Sequence, residues 1–270
     1  MNLGSRMKLY EGQESDRRLT PLLPVMARLD GRAFHNFTKG MHRPYDVKFR
    51  ALMVHTAKAL MVEANPTMAY VQSDEISLVW YQDTIESEIY FAGRIQKMVS
   101  TLAATASVAF TDSMAHFLPD KEGSFAAFDC RVWTCPTLME AANCFLWRER
   151  DATKNSILSA GQAHFSHKQL HGKNTTVIQD MLHEKGVNWN DYPADFKRGT
   201  WVQKRRVVRP FTTDELEKLP AKHEAQTNPD LEVERWEIHE IDMPPFGTVK
   251  NRVGVIFFGE SPEGYEEDKT

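Results

Sequence analysis

A polar interruption between two strand-like runs is the feature that most limits how this chain can fold. Residues 68–81 are rich in aromatic and β-branched side chains, and Gln72-Ser73-Asp74-Glu75 divides them. Such a pattern indicates a β-hairpin whose turn contains acidic side chains. Upstream, residues 22–29 are apolar and end in Asp30-Gly31, which indicates a buried strand that enters a tight turn. The two patterns together predict strands that end or turn at carboxylates.

Helical patterns connect these strands. Residues 49–64 contain one apolar stripe at helical spacing and no Gly or Pro, which predicts an amphipathic helix. The stripe consists of Leu52, Met53, Thr56, Leu60 and Met61. Residues 87–109 predict a second helix, and residues 126–133 predict another strand. The order β-α-β-β-α-β is that of a ferredoxin-like, split βαβ fold. We therefore expect an α+β fold with a βαββαβ palm, as in polymerases and nucleotide cyclases.

The second half of the chain has a different pattern. Residues 138–159 and 164–182 are helical in pattern, and residues 197–209 are basic and strand-like. Residues 211–232 are polar, which indicates an exposed loop-like segment, whereas residues 236–258 again have the pattern of a strand. We expect a catalytic palm at residues 1–140 and a helical, basic appendage at residues 141–270, packed together as one compact unit.

Composition excludes several classes of protein. A hydrophobic content of 41% over 270 residues supports a large folded core. Residues 1–18 are polar, and no apolar run reaches the roughly 20 residues needed to span a bilayer, so we expect a cytoplasmic enzyme without a membrane partner. Three cysteines lack the spacing of a zinc site or a disulfide scaffold. The formal net charge of -4 requires any RNA contact to be local.

The acids at the predicted strand ends indicate metal chemistry. In a split βαβ sheet the first strand lies beside the hairpin, so Asp30, Asp74 and Glu75 can converge as catalytic carboxylates. Oxygen ligands suit Mg²⁺, and two ions about 3.5–4 Å apart would activate a hydroxyl and stabilise a leaving phosphate. Gly31 lets a metal or phosphate approach the backbone. The alternative is structural, because Asp-Gly is an ordinary turn pair and the hairpin acids suit a solvated tip.

The residues after Gly31 form a candidate nucleotide loop. Their backbone amides can face a triphosphate, and the residues concerned are Arg32, Ala33, Phe34 and His35. A hydrogen-bonded histidine of the core is an equal alternative for His35.

Several segments together resemble one known family. They are Arg28-Leu-Asp30-Gly31-Arg32-Ala-Phe34-His35-Asn-Phe37, Arg43-Pro-Tyr-Asp46, Gln72-Ser73-Asp74-Glu75-Ile-Ser77, Phe128-Asp129-Cys130-Arg131-Val132, Trp147-Arg148 and Phe196-Lys-Arg-Gly-Thr200. This set resembles the tRNAHis guanylyltransferase (Thg1) family, and within it the Thg1-like proteins, over most of residues 7–206. The resemblance implies a polymerase palm that works in the 3′-5′ direction.

The resemblance also implies roles for individual residues. Asp30 and Asp74 would bind two Mg²⁺ ions through their carboxylates, Gly31 through its carbonyl, and Glu75 would support or join the coordination. The triphosphate of a second nucleotide would contact Ser73, Arg94, Lys97 and Arg131. Further nucleotide-binding positions would be Arg43, Asp46 and Asn155. Ordinary solvated charge is the alternative for Arg94 and Lys97.

The implied reaction extends the 5′ end of tRNA at the acceptor stem. ATP activates the 5′-monophosphate, and the 3′-hydroxyl of GTP or another NTP then displaces the activating group. The family also implies a homotetramer. Thr153 stands where eukaryotic members have the histidine of their HINNLYNT segment, while Asn155 is retained. This departure favours templated repair of 5′-truncated tRNA, with dedicated tRNAHis guanylylation as the alternative.

The basic segment is the candidate RNA contact. Its cations are Lys197, Arg198, Lys204, Arg205 and Arg206, and they can neutralise phosphates, although a solvated strand edge would have the same composition. Two other functions are consistent with the residue pattern. One is a nucleotide cyclase or cyclic-dinucleotide synthase, which needs no RNA, and the other is a non-catalytic RNA-binding module.

Overall fold

The computed structural model describes residues 1–228 and 230–264. Its strands are β1 Val25–Gly31, β2 Met68–Gln72, β3 Glu75–Trp80, β4 Phe128–Thr134, β5 Thr200–Pro210 and β6 Glu232–Ile241. Its α-helices are α1 Leu3–Ser15, α2 Phe34–Phe37, α3 Val47–Ala64, α4 Ile95–Phe117, α5 Leu138–His164, α6 His167–Leu170, α7 Thr175–Glu184, α8 Ala194–Arg198, α9 Thr213–Lys218 and α10 Arg252–Phe258.

The strands form one sheet in the order β4-β1-β3-β2-β5-β6. Every neighbouring pair is antiparallel. The predicted α+β class is therefore confirmed, and the order β1-α3-β2-β3-α4-β4 occurs as expected.

Helices cover both faces of the sheet. Helices α3 and α4 pack on one face, where Leu29, Ile76 and Phe110 belong to the same buried cluster. On the other face, Phe145 of α5 and Ile256 of α10 pack in a second cluster that includes Tyr70 of β2. The strand alternation of one side chain up and one down thus fills two apolar layers.

Local signals explain the first of these helices. Helix α3 begins after Asp46, whose carboxylate accepts hydrogen bonds from the amides of Lys48 and Phe49, and it ends at Asn65 in the left-handed conformation. The predicted stripe is confirmed, because Leu52, Met53, Thr56, Leu60 and Met61 are all buried.

The predicted start of the second helix is wrong. Helix α4 begins at Ile95 because Phe91, Ala92 and Gly93 all have positive φ, and these conformations cannot continue a right-handed helix. It then extends to Phe117, past the predicted end, and stops before Pro119.

The second half of the chain is less purely helical than expected. Strands β5 and β6 extend the sheet from the edge of β2, so these residues complete the sheet as well as covering it. The expectation of strand structure across residues 236–258 holds for β6 only. Residues 252–258 instead form α10 and bury Gly254, Val255 and Ile256, since a short apolar run suits a buried helix as well as a strand.

No helix in residues 1–228 and 230–264 has the length and apolarity that crossing a membrane requires.

Candidate active site

The turn between β2 and β3 brings Asp74 next to the end of β1. Asp30 lies opposite Glu75 in the antiparallel register, and the Gly31 amide donates to the Asp74 carbonyl at 3.0 Å. Ser73 adopts a positive φ of 48° to close the turn. Asp30 and Asp74 both line one cavity of about 550 Å³. The two predicted catalytic aspartates therefore lie on the same side of the sheet and face a common space.

The electrostatics of Asp74 reflect this crowding. Burial raises the pKa of the Asp74 carboxyl, hydrogen bonds from its own amide and from Ser73 lower it, and the charges of Asp30 and Glu75 raise it again. The net pKa is above the ordinary value. A cation between the aspartates would offset their repulsion.

The donor set at this point fits Mg²⁺ by its chemistry. The carboxylates of Asp30 and Asp74 offer only oxygen ligands, and Mg²⁺ commonly binds one or two carboxylates while it keeps several waters. Within the described ranges, no group of three or more His, Cys, Asp or Glu side chains forms a metal site. Two carboxylates suit a metal whose other ligands are water and substrate phosphates.

Glu75 has a different environment from Asp74. Its carboxylate is 8% exposed and accepts two hydrogen bonds from Arg148, at 2.7 and 2.8 Å. Arg28 lies 3.8 Å from it. Both oxygens of Glu75 are thus engaged by Arg148. The family resemblance implied that Glu75 would support or join the metal coordination.

Glu75 also lines the cavity, and so do four more of the predicted residues. They are Arg43, Asp46, Ser73 and Asn155. Burial alone would raise the pKa of Asp46, but hydrogen bonds from the amides of Phe49, His42 and Lys48 lower it. Asp46 is therefore the N-cap of α3, and any contact with a nucleotide would be additional to that role.

The loop after Gly31 is not on the cavity wall. The Arg32 amide donates to the Ala127 carbonyl at 2.8 Å, Ala33 has a φ of 58°, and both are exposed together with His35. The Phe34 ring is buried, and a Cβ added to Gly31 would lie 2.5 Å from it. Phe34 therefore belongs to the core, His35 does not, and close packing already requires glycine at position 31.

The predicted triphosphate cations separate into two groups. Arg131 is on the sheet face of Asp30, and its pKa is raised first by a hydrogen bond to Asp129 and then by the charges of Asp129, Asp30 and Glu75. Arg94 and Lys97 lie at the amino-terminal end of α4 and outside the cavity.

The length of α4 sets the distance of these two cations from the acids. The Ser107 hydroxyl accepts from the Phe128 amide, next to Gly31 in the register. At 1.5 Å per residue, the helix separates Lys97 from Ser107 by roughly 15 Å. Within one chain, the structure does not bring Arg94 and Lys97 to the aspartates.

The predicted RNA-binding cations do not form one surface. Lys204 donates to Asn65 at 3.0 Å on the α3 face, whereas Arg205 donates to Gln203 and Glu260 on the opposite face. Arg206 pairs with Glu234 of β6.

The remaining two cations, Lys197 and Arg198, lie on α8. Lys197 lies over the Trp189 ring at 5.5 Å, and Arg198 lines a second cavity of about 370 Å³. Strand alternation and the β6 acids explain why the basic segment divides.

Two arginines of the site were not predicted. Arg148 and Arg50 both line the main cavity, and Arg50 contacts Asp195 and Glu240. The Trp147-Arg148 segment was part of the family resemblance and was the available signal for Arg148. For Arg50 the partners lie far away in the chain, and nothing in the local pattern distinguishes it from a solvated helix cation.

Comparison with known proteins identifies the family of this chain. Residues 4–136 match the family model described as Thg1, tRNAHis guanylyltransferase. A solved bacterial Thg1-like protein in complex with ATP has a TM-score of 0.77 and 32% identity, over 95% of this chain and 99% of that chain. A second such protein in complex with GTP has a TM-score of 0.69 and 29% identity, over 91% and 94% of the two chains.

A curated relative shows the same similarity at the sequence level. The tRNA(His) guanylyltransferase of Schizosaccharomyces pombe is 28% identical over 214 residues, which cover 74% of this chain and 80% of the relative. The matched family model includes both aspartates and the hairpin turn. This chain belongs to the tRNAHis guanylyltransferase (Thg1) family.

Proposed function

We propose that this protein is a nucleotidyltransferase that adds nucleotides to the 5′ end of tRNA in the 3′-5′ direction. The observation that carries this proposal is the meeting of Asp30 and Asp74 at one cavity. Family members and the ATP and GTP complexes of the similar bacterial proteins support it. In this assignment β1 to β4, with α3 and α4, form a ferredoxin-like palm whose strand ends hold the aspartates.

Metal dependence is part of the proposal. Asp30 and Asp74 would hold two Mg²⁺ ions, with the Gly31 carbonyl as a further ligand. When bound, Mg²⁺ supplies charge neutralisation on phosphate oxygens and activation of the attacking hydroxyl. The oxygen-only donors and the mutual repulsion of the two carboxylates support this assignment.

The chain's own residues orient the two substrates. Arg43, Ser73 and Asn155 line the cavity beside the aspartates and would bind one nucleotide. Arg131 lies on the same sheet face as Asp30 and would contact a triphosphate. The planar guanidinium of arginine can donate two hydrogen bonds to the oxygens of a triphosphate, and such charge-assisted hydrogen bonds fix the orientation of the triphosphate.

Two phosphoryl transfers follow from this arrangement. In the first, a 5′-monophosphate oxygen of the RNA attacks the α-phosphorus of ATP, and pyrophosphate leaves. In the second, the 3′-hydroxyl of an NTP attacks the 5′ phosphorus of the RNA, and AMP leaves. Position and charge neutralisation supply the catalysis, since no covalent enzyme intermediate is required.

The substrate class follows from the α5 segment. Thr153 replaces the histidine of the eukaryotic pattern, so we assign templated repair of 5′-truncated tRNA to this chain, with base pairing selecting the nucleotide. The relatives' names favour the alternative, a dedicated tRNAHis guanylyltransferase. Homotetramer assembly remains a prediction from the family.

The test offers the protein ATP, Mg²⁺, each labelled NTP and 5′-monophosphorylated tRNAs, either intact or lacking the first nucleotide. We expect growth at the 5′ end of the truncated tRNAs, with the nucleotide that the opposite strand specifies. Preference for intact tRNAHis with an unpaired added G would establish the alternative. A cyclic nucleotide made without RNA, or RNA binding without any product, would contradict the proposal.

A further inference from the structure

The pair formed by Glu75 and Arg148 is the most completely enclosed charge pair beside the aspartates within the described residues. The two side chains are 10% and 11% exposed. Arg148 Nε donates to one oxygen of Glu75 at 2.7 Å, and its Nη2 donates to the other at 2.8 Å. This two-bond geometry uses the planar fork of arginine and fixes the carboxylate in orientation as well as position.

Contacts around Arg148 hold its guanidinium in place. Nη2 also donates to Asp151 one helical turn later at 3.0 Å, and Asp151 accepts from Asn155 at 3.2 Å. The guanidinium lies 4.6 Å from the centre of the Trp147 ring. Helix α5 is anchored under the sheet by the fully buried Phe145. The orientation of Arg148 is therefore set by a rigid element.

The chain neighbour of Glu75 has a different set of contacts. The hydrogen bonds to Asp74 come from its own amide and from Ser73. Glu75 and Asp74 are one residue apart and both line the cavity. Both oxygens of Glu75 nevertheless accept from Arg148, whereas the hydrogen bonds to Asp74 come from the turn.

We propose that Arg148 is a positioning residue that keeps Glu75 out of the metal coordination shell. This inference rests on the proposed function. Asp30 and Asp74 are then the only side-chain metal ligands of the site, and Glu75 acts through Arg148 to fix the turn that presents Asp74. Arg148 also offsets the charge of Glu75, so the site binds metal with the charge of two carboxylates rather than three.

The test measures binding of Mn²⁺ alone by calorimetry, because carboxylate sites for Mg²⁺ also accept Mn²⁺. The most informative variant is the double substitution Glu75→Gln with Arg148→Gln, which replaces both partners of the pair. It removes the pair without changing net charge, so neither Glu75 nor Arg148 is left as an unpaired buried charge. We expect its dissociation constant for Mn²⁺ to stay within about threefold of the wild type, whereas Asp30→Asn weakens binding by tenfold or more.

A second variant tests the shielding directly. Arg148→Gln alone frees the Glu75 carboxylate beside the two aspartates, so we expect Mn²⁺ binding to tighten at least threefold. Glu75→Gln added to it should abolish the gain. A purely structural role for Arg148 predicts no tightening. If Arg148→Gln does not fold, the double variant decides the question by itself.

The outcomes separate this inference from the proposed function. A tenfold weakening in the double variant would make Glu75 a metal ligand and overturn the inference, while the aspartate site would stand. Failure of the wild type to bind Mn²⁺, or an Asp30→Asn variant that binds it normally, would overturn both.

Discussion

Asp74 and Glu75 are adjacent in the chain, but their carboxylates have different surroundings. The β2–β3 turn ends between them, so Glu75 is the first residue of β3 and pairs with Arg148 on α5. Asp74 remains in the turn, and its pKa is raised by burial and by the nearby acids. A carboxylate whose pKa is raised in this way gains more from a bound cation than one already paired with arginine.

We expect Asp30→Asn and Asp74→Asn each to lower kcat/KM for nucleotide addition by on the order of 10²–10³-fold. Each removes one charged oxygen ligand while it keeps the shape of the side chain. The measurement is steady-state addition to a 5′-truncated tRNA, with circular dichroism to verify the fold. Asp112→Asn on the exposed surface of α4 is the matched control, and it should retain full activity. Equal losses in all three variants would contradict the assignment.

Glu149 provides a pH-dependent prediction. Its carboxylate is 4% exposed and accepts from the Phe246 amide at 2.9–3.0 Å. Burial raises the pKa of Glu149 from 4.5 to about 7, against the lowering effect of the Phe246 amide and of Arg198 and Arg150. A raised pKa in the folded state contributes stability below the unfolded value of 4.5 and loses it as the pH rises through 7.

The Glu149→Gln variant keeps an acceptor for the Phe246 amide and removes this titration. We expect the free energy of unfolding of the wild type to fall by roughly 2–3 kcal/mol between pH 5 and pH 8, relative to that of the variant. Urea unfolding at several pH values measures the difference. The same pH profile for both proteins would show that Glu149 does not titrate in this range.

At the scale of elements, the start of β5 is where the second half of the chain meets strand β2. Gly199 precedes β5 with a φ of 76°, and a Cβ there would lie 2.6 Å from both the Tyr70 hydroxyl and the Val71 carbonyl of β2. The Tyr70 hydroxyl itself donates to the Arg198 carbonyl at 2.8 Å. Only glycine permits this close approach, which closes the cavity wall at Thr200.

Gly199→Ala should therefore lower the free energy of unfolding by about 2–4 kcal/mol, through backbone strain and the clash with β2. Gly186→Ala is the matched control, since Gly186 has a φ of 75° and nothing within 4 Å of the added Cβ. It should lose only about 1 kcal/mol from strain. Equal losses in the two variants would show that the contact with β2 is unimportant.

At the scale of the whole molecule, charge distribution limits how RNA can bind. The formal net charge is -4, and β6 supplies acids to the cations of the β5–β6 ribbon, as in the pairs Arg206–Glu234 and Arg209–Glu237. Arg198 differs, because it lies outside the ribbon, on α8, and lines the second cavity. RNA affinity should depend on the α8 cations more than on the ribbon.

Replacing Lys197 and Arg198 together by Ala should weaken binding of 5′-monophosphorylated tRNA. It should also flatten the dependence of log Kd on log salt by roughly 0.7–0.9 for each phosphate that the variant no longer neutralises. Arg206→Ala is the control and should change neither quantity. Filter binding at several KCl concentrations provides both values. A larger effect from Arg206 would place the RNA on the ribbon instead.

The sequence by itself determined the order of the elements from β1 to β4 and the positions of their acids. Strand alternation, the amphipathic stripe of α3 and the polar turn at Ser73 and Asp74 are local patterns, and local sterics and burial decide them. The family resemblance rested on the same segments. The start of α4 escaped prediction, because positive φ at Phe91 and Ala92 is not encoded by a turn residue at either position.

Only the tertiary structure decided which charged groups face the cavity and which are paired. Glu75 resembles Asp74 in the sequence, and its partner Arg148 is 73 residues away. The basic run of β5 likewise divides between two faces and meets acids of β6. The role of a buried charged side chain depends on the groups that surround it. Those groups come together only when distant segments of the chain pack.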